Sequence, residues 1–176
     1  MKFLKYLAGV VLLVVIVGLF LPATTHIERE VLIQAPPQVV FGYINDYRKF
    51  NQWSPWFKRD PEAKYEYSGP ASGVGSKMRW ESEHREVGSG SQEIVESKPY
   101  RLIKVLLDFG TQGQSESSWE LTAIESATRV VWSLNMTHGW DLLGRIFGLM
   151  MDAMIGPDYE AGLENLKQLA EADVAG

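Results

Sequence analysis

Between residues 64 and 137 the sequence alternates short segments of period two with turns, and this pattern constrains the fold more than any other feature. Apolar side chains recur at every second position in these segments, as in β-strands that bury one face. Short turns join them, and links this short allow only antiparallel neighbours. The predicted strands are Lys64–Ser68, Ser76–Glu83, Arg85–Val87, Ser91–Ser97, Arg101–Phe109, Gln114–Ile124 and Arg129–Thr137.

Further elements flank this predicted meander. A strand is expected over Ile27–Gln34, followed by a helix from Pro37 to Ile44 and a second short helical stretch from the N-cap Asp46 toward Trp53. The C-terminal part has apolar residues at helical spacing, with a kink or break expected at Gly156-Pro157. Because a long sheet twists, we expect it to curl around the last helix, which makes the chain an α+β protein.

The N-terminal residues form a continuous apolar run. From Tyr6 to Leu21 every residue is apolar or glycine, and a helix over Phe3–Leu21 would span roughly 28 Å, close to the thickness of a bilayer core. We expect residues 1–23 to be a transmembrane anchor and residues 24–176 a single ligand-binding domain. A cleaved secretory signal is the alternative, but Leu21 fits poorly before a cut after Ala23.

The only lysines near this run, Lys2 and Lys5, precede most of it. The positive-inside rule then predicts a single-pass membrane protein with a cytoplasmic N-terminus. Its domain would lie on the outer side of the membrane, periplasmic or extracytoplasmic, and the membrane would be a partner of the chain.

The charge balance excludes some classes of partner. Without residues 1–22 the chain keeps 15 basic and 22 acidic side chains, a formal net charge of −7. Nucleic acids and anionic headgroups require a basic footprint, so neither is expected as a main partner. The chain has no cysteine, which excludes disulfides and thiol catalysis. No zinc-ligand spacing or phosphate-binding loop occurs, so no metal and no cofactor is expected.

The ionisable residues give no catalytic constellation. His26, His84 and His138 lie far apart in sequence. His84 with Glu81 and Glu83 could form an acid/base cluster, but a solvated strand end is the favoured interpretation. Alternation likewise places the strand residues Arg79 and Asp108 toward solvent, and His138 fits a loop role. No catalytic residue is therefore predicted.

Several short motifs follow one another in an order that resembles a known family. They include Trp53-Ser54-Pro55-Trp56, Gly73-Val74-Gly75 leading to Trp80, Gly88–Gly90 leading to Ile94 and Pro99, Thr128-Arg129-Val130 with Trp132, and Gly156 to Leu166-Lys167. Together they resemble the polyketide cyclase/dehydrase-like branch of the START-like (SRPBCC) superfamily over roughly residues 25–172. The resemblance implies a helix-grip fold, with a curved antiparallel sheet around a long C-terminal helix and an internal cavity for apolar or amphipathic ligands. It does not imply a reaction.

The candidate ligand-binding residues are large apolar side chains. Alternation places most of them on one face of the sheet, opposite a methionine-rich helical segment, and Trp or Met walls suit a flat or lipid-like ligand. Ordinary filling of the core is the alternative for this set. The predicted set is Trp56, Met78, Trp80, Ile94, Val105, Leu107, Trp119, Trp132, Leu134, Met136, Phe147, Met151 and Met154. The few polar contacts are expected from Trp N–H groups, Ser115, Ser117 or the backbone.

Three functions remain open on the sequence alone. The leading one is binding of a small hydrophobic or lipid-like molecule by a membrane-anchored carrier, sensor or accessory factor. The alternative is a polyketide cyclase/dehydratase-like enzyme, which would need an ionisable residue with a shifted pKa inside the same cavity. The third is a structural partner at the membrane surface whose cavity is filled by its own side chains. The sequence leaves the oligomeric state undetermined.

Overall fold

The computed structural model describes residues 2–176, and it shows an α+β fold. Its helices are α1 (Lys2–Phe20), α2 (Pro37–Ile44), α3 (Tyr47–Phe50), α4 (Pro55–Arg59) and α5 (Leu142–Ala175). Its strands are β1 (Thr24–Ile33), β2 (Lys64–Ser68), β3 (Lys77–Glu81), β4 (Ser89–Lys98), β5 (Leu102–Asp108), β6 (Gln114–Ile124) and β7 (Ala127–Thr137). The strands form one antiparallel sheet in the order β1-β7-β6-β5-β4-β3-β2. The predicted antiparallel meander and the long C-terminal helix are confirmed.

The segment between β3 and β4 differs from the prediction. Arg85–Val87 is a turn and not a strand, because the N–H groups of Val87 and Gly88 both donate to the carbonyl of His84. β4 then runs without interruption from Ser89 to Lys98, apart from a register shift between Ile94 and Glu96. Residues 82–88 therefore connect β3 to β4 as a loop, which can fold over one end of the sheet.

α4 is a helix that the sequence pattern did not predict. Ser54 is its N-cap, with the side-chain oxygen 3.4 Å from the backbone N–H of Phe57, and Pro55 occupies its first position. Both features are ordinary helix-start signals. The helix matters for the site, because it brings Trp56 and Arg59 toward α5.

α5 continues through Gly156-Pro157, where a kink or break was expected. Proline removes one helical hydrogen bond, but contacts from β1 hold both sides of this point. Arg29 Nη1 lies 2.9 Å from Asp152, five residues before the proline, and Arg29 Nε lies 2.7 Å from Glu160, three residues after it. The guanidinium lies against Gly156, in the space that a side chain there would need. This bridge spans the proline and links both halves of α5 to β1.

α1 packs on the start of α5 through its C-terminal turn. Gly18 lies against Leu142, and a Cβ atom at Gly18 would come within 2.9 Å of the leucine side chain. Arg145 donates from Nη1 to the carbonyls of Gly18, Leu19 and Leu21 at 3.2–3.3 Å. The last carbonyls of a helix have no partner within the helix, so Arg145 caps α1.

The predicted membrane topology requires correction. The apolar N-terminal segment is helical as expected, but among the residues described no helix is long and apolar enough to cross a membrane. The prediction of a single-pass protein with a cytoplasmic N-terminus and an outer domain is therefore wrong.

The hydrophobic core lies between the concave face of the sheet and the C-terminal half of α5. Tyr159, Leu163 and Leu166 from α5 are buried there, and α2 and α3 close one end with Tyr47 among their buried residues. Burial raises the pKa of the Tyr47 hydroxyl. The N-terminal half of α5 packs less closely on the sheet, because most of its large apolar side chains remain exposed. A cavity opens beneath it.

Candidate ligand-binding cavity

The antiparallel register aligns the concave side chains in rows that run across the strands. One row joins Met78, Gln92, Leu107, Ser115 and Met136 as successive partners on β3 to β7. Directly opposed residues of antiparallel strands lie about 4.5–5.5 Å apart, so this row forms a continuous surface. Its members differ in polarity, and the row forms part of the wall of the cavity.

The cavity encloses about 670 Å³ between the concave face, α4, the β3–β4 loop and α5. This volume lies within the range of small-molecule sites in proteins. Its wall is mostly apolar, with a few polar and charged side chains. The lining residues are Phe50, Ser54, Trp56, Arg59, Tyr65, Met78, Trp80, Arg85, Glu86, Val87, Gln92, Leu107, Phe109, Ser115, Ser117, Trp119, Trp132, Leu134, Met136, Met151, Met154, Ile155 and Asp158.

The structure brings most of the predicted ligand-binding residues together at this cavity, and the exceptions are three. Ile94 and Val105 are fully buried on the same face of the sheet as Gln92 and Leu107, and they do not line the cavity. Phe147 is 61% exposed on the outer side of α5. The predicted residues that do line it are Trp56, Met78, Trp80, Leu107, Trp119, Trp132, Leu134, Met136, Met151 and Met154. Their contact with a ligand stays a prediction.

Trp132 is the centre of an aromatic cluster at the base of the cavity. Its ring stacks on Tyr159 at 3.8 Å between centroids and on Trp119 at 5.2 Å. Trp53 and Trp56 meet it edge-on at 5.7 and 6.0 Å. Offset stacking and edge-to-face contacts are the favoured arrangements of aromatic rings. The cluster gives the cavity a rigid aromatic base, and burial raises the pKa of the Tyr159 hydroxyl.

Some of the buried polar groups at this base have hydrogen-bond partners, and others have none. Trp132 Nε1 donates to Ser117 Oγ at 3.0 Å, and Ser117 Oγ donates to the carbonyl of Ser133 at 2.8 Å. Ser115 Oγ and Trp119 Nε1 are buried without a partner among the residues that the structure describes. A buried polar group without a partner costs about 1–3 kcal/mol, so each of these two atoms in the cavity wall is unfavourable unless another group bonds to it.

An ion pair at the cavity was not predicted from the sequence. Arg59 from α4 contacts both carboxylate oxygens of Asp158 on α5, at 2.7 Å for the Nη1 contact, and Glu86 lies 3.5 Å from Arg59 Nε. The hydrogen bond to Asp158 raises the pKa of Arg59. A signal for Asp158 was present, since it follows Met151 and Ile155 at helical spacing on the face of α5 that lines the cavity.

The three histidines lie elsewhere. Within the part of the chain that the structure describes, none lines the cavity. His26 contacts Asn135 at 2.8 Å, His138 contacts Thr25 at 2.8 Å, and His84 accepts from the backbone of Glu86 in the exposed β3–β4 turn. The same residues 2–176 contain no group of three or more acidic or histidine side chains placed to hold a metal ion.

Comparison with known proteins gives a family and a fold. Residues 24–171 match the family described as polyketide cyclase / dehydrase and lipid transport. No curated protein matches the chain.

Three solved structures illustrate the likeness in fold. The chain superposes on the Zhui aromatase/cyclase from Streptomyces sp. R1128 with a TM-score of 0.61 and 17% identity, over 86% of this chain and 96% of that one. The Aha1 dimer from Colwellia psychrerythraea gives 0.58 and 18%, over 83% and 96%. The di-domain aromatase/cyclase StfQ of the steffimycin biosynthetic pathway gives 0.63 and 10%, over 88% and 53%. At these identities the likeness shows the helix-grip fold alone.

Proposed function

We propose that this chain, which belongs to the polyketide cyclase/dehydrase and lipid transport family, binds one small, largely apolar molecule in the cavity. The observation that carries the proposal is the cavity itself, about 670 Å³ of space walled mostly by aromatic and aliphatic side chains. Well-packed protein interiors leave few voids larger than a water molecule. A domain that keeps this much apolar space open does so at a cost in stability, which a ligand would offset.

The shape of the walls favours a flat molecule. Trp119 and Trp132 stack with an interplanar angle of 23°, and Trp80 meets Phe109 edge-on on the opposite part of the wall. Aromatic walls bind planar rings through both apolar contact and ring quadrupoles. Met151 and Met154 on α5 add flexible apolar surface that adapts to irregular shapes. A carrier, sensor or accessory factor would need only a cavity that binds such a molecule, with no catalytic group.

Leu107 gives a direct test, because it lies in the middle of the row that lines the cavity. Leu107→Trp adds a bulky side chain on the concave face and is expected to weaken binding of an apolar fluorescent naphthalene dye by at least about tenfold, since the dye and the indole would compete for the same space. The measurement is a titration of dye fluorescence. Binding unchanged by Leu107→Trp would contradict the proposal.

The matched control is its neighbour Leu106, which lies on the opposite face of β5 and is exposed. Leu106→Trp adds the same side chain outside the cavity and is expected to leave dye affinity within about twofold of wild type, because alternate strand residues face opposite sides of the sheet. Equal losses in both variants would show that the dye binds somewhere other than the cavity.

The ion pair supports a second candidate function, a cyclase/dehydratase-like enzyme. The Asp158 carboxylate could take a proton from the carbon next to a ketone, while the Arg59 guanidinium stabilises the enolate oxygen. Attack of that carbon on a second carbonyl closes a ring and breaks the C=O π bond, and the alkoxide so formed takes the proton back from Asp158. Asp158 then removes a second proton from the same carbon, a C=C bond forms, and the hydroxyl leaves with that proton as water. Asp158 is buried and lines the cavity, as such a role requires.

The second candidate is tested with a linear poly-β-ketone thioester and a mass-spectrometric assay for loss of water. If the chain is an enzyme, wild type accelerates the loss and Asp158→Asn lowers the rate on the order of 10²–10⁴-fold, the usual contribution of a general base. Glu164→Gln, an exposed carboxylate on the same helix, is the control and leaves the rate unchanged. No acceleration by wild type, or equal rates in wild type and Asp158→Asn, would remove this candidate.

A further inference from the structure

We propose that Gln92 and Ser115 form a neutral polar subsite in the wall of the cavity, and that the ligand is an uncharged ring compound whose hydroxyl or carbonyl oxygen binds there. This inference rests on the proposed function, since it names the chemical class of the bound molecule. A pure hydrocarbon would leave the subsite unsatisfied, and a carboxylate would be placed beside groups that cannot neutralise it.

Gln92 is the first observation. The residue is 5% exposed, lies on the concave face of β4 and lines the cavity. Within the described part of the chain, its side-chain amide makes one hydrogen-bond contact, from Nε2 to the thioether sulfur of Met78 at 4.0 Å. Sulfur is a weak acceptor, and a glutamine amide offers two donors and one acceptor. Most of this hydrogen-bonding capacity is therefore unused by the protein itself.

Ser115 is the second observation, and it is independent of the first. Its Oγ is buried with no partner among the residues that the structure describes, and the residue also lines the cavity. The register places Gln92 and Ser115 on either side of Leu107 in one row, two strand spacings or roughly 9–10 Å apart. A hydroxyl can rotate about its single side-chain torsion to meet a ligand atom. The two groups thus flank the apolar centre of one wall.

The inference that the ligand contains a planar ring follows from the surroundings of Gln92 on β4. Gly90 lies two residues earlier, on the same face, and has no side chain. The ring of Trp80 lies over it, within 2.9 Å of where a Cβ atom would be. Trp80 Nε1 is already bonded to the carbonyl of Val87, at 3.3 Å. The indole therefore offers its apolar face beside the amide of Gln92, which suits a planar ring with a polar edge.

The inference that the ligand is uncharged follows from the arrangement of the ionic groups in the cavity wall. Asp158 already holds Arg59, and Glu86 lies on the other side of the same guanidinium. Arg85, the second cation among the lining residues, is exposed in the β3–β4 loop and is not part of the row that holds Gln92 and Ser115. Gln92 and Ser115 are neutral, and their partners across the strands are Met78, Leu107 and Met136. A carboxylate bound at this row would lose its water without gaining a counter-charge, which is strongly unfavourable. A hydroxyl or ketone loses far less.

The test compares three molecules with the same ring system, naphthalene, 2-naphthol and 2-naphthoate, by equilibrium dialysis against the full chain at neutral pH. Gln92→Leu is expected to weaken 2-naphthol about 2- to 10-fold, the usual net effect of one hydrogen bond, while naphthalene binds equally well or more tightly. Ser115→Ala is expected to act in the same direction. Gln114→Leu is the matched control, because Gln114 is exposed at the first position of β6, and it leaves all three affinities unchanged.

The outcomes separate this inference from the proposed function. If wild type binds the naphthalenes but Gln92→Leu and Ser115→Ala leave 2-naphthol unaffected, the polar subsite is wrong and the cavity remains a binding site. Tighter binding of 2-naphthoate than of 2-naphthol to wild type would also overturn the subsite. If none of the three molecules binds wild type, the proposed function fails and this inference with it. Gln92→Met, which keeps the unbranched side chain, replaces Gln92→Leu if that variant does not fold.

Discussion

Replacing Trp132 by alanine is expected to lower the free energy of unfolding by about 3–5 kcal/mol, the range for deleting a fully packed large aromatic side chain. Trp132 is 2% exposed and has four aromatic neighbours, so its removal leaves a void that none of these rings can fill alone. It also leaves Ser117 Oγ without the N–H that it accepts. Chemical denaturation followed by circular dichroism measures the change.

Trp80→Ala is the matched comparison, and its cost is expected to lie below that range. Trp80 is only half-buried, lines the open cavity and rests on Gly90, so one side of its ring has few protein partners. A loss for Trp132→Ala no larger than the loss for Trp80→Ala would show that the aromatic cluster is loosely packed. That result would contradict the rigid base described above.

Gly69→Ala is expected to destabilise the fold by about 2–5 kcal/mol. The residue has a φ of +74°, a conformation that costs a residue with a Cβ atom about 1–2 kcal/mol. In addition, a Cβ atom here would lie 2.1 Å from the backbone oxygen of Gly75, which is held in place because Gly75 N–H donates to the carbonyl of Ile94 at 2.8 Å. Overpacking of this kind adds typically 1–3 kcal/mol. Thermal and urea unfolding measure the loss.

Gly88→Ala isolates the steric part of this effect. Gly88 also has a positive φ, +61°, but the space around its missing Cβ is open. Only the conformational cost of about 1–2 kcal/mol is therefore expected. If both variants lose the same stability, the close approach at Gly69 has relaxed and the turn between β2 and β3 is not rigid.

Alternation of side chains was sufficient to predict the sheet. The bounds of β2, β5 and β6 follow the period-two segments closely, and β5 and β6 each have one buried face and one more exposed face. The pattern failed at Arg85–Val87, where three residues are too few to show a period and the backbone hydrogen bonds to His84 decide the conformation. The kink or break expected at Gly156-Pro157 is absent for a different reason. The contacts that span this point come from Arg29, which is more than a hundred residues away in sequence and gives no local signal.

The cavity wall was predictable where it is built by strands. Trp80, Trp119 and Trp132 face the cavity as their register requires. The polar part of the cavity wall was harder to predict from the sequence. α4 is a single turn with no periodicity of its own, and Arg59 reaches the cavity only through this turn. Asp158 carries a helical signal, which the alternation of strand residues cannot reveal. The unused amide of Gln92 has no sequence signature, since its significance lies in the partners it lacks.

Arg29 and Gly156 limit which side chains can occupy each other's positions, and this limit also affects the residues that contact Arg29. The guanidinium occupies the volume of a side chain at position 156, so a larger residue there requires a shorter one at position 29. Such an exchange would leave Asp152 and Glu160 without their shared cation, on a helix that a proline has already weakened. The energetic effects of substitutions at these four positions are therefore expected to be non-additive, because each of them changes the surroundings of the same guanidinium.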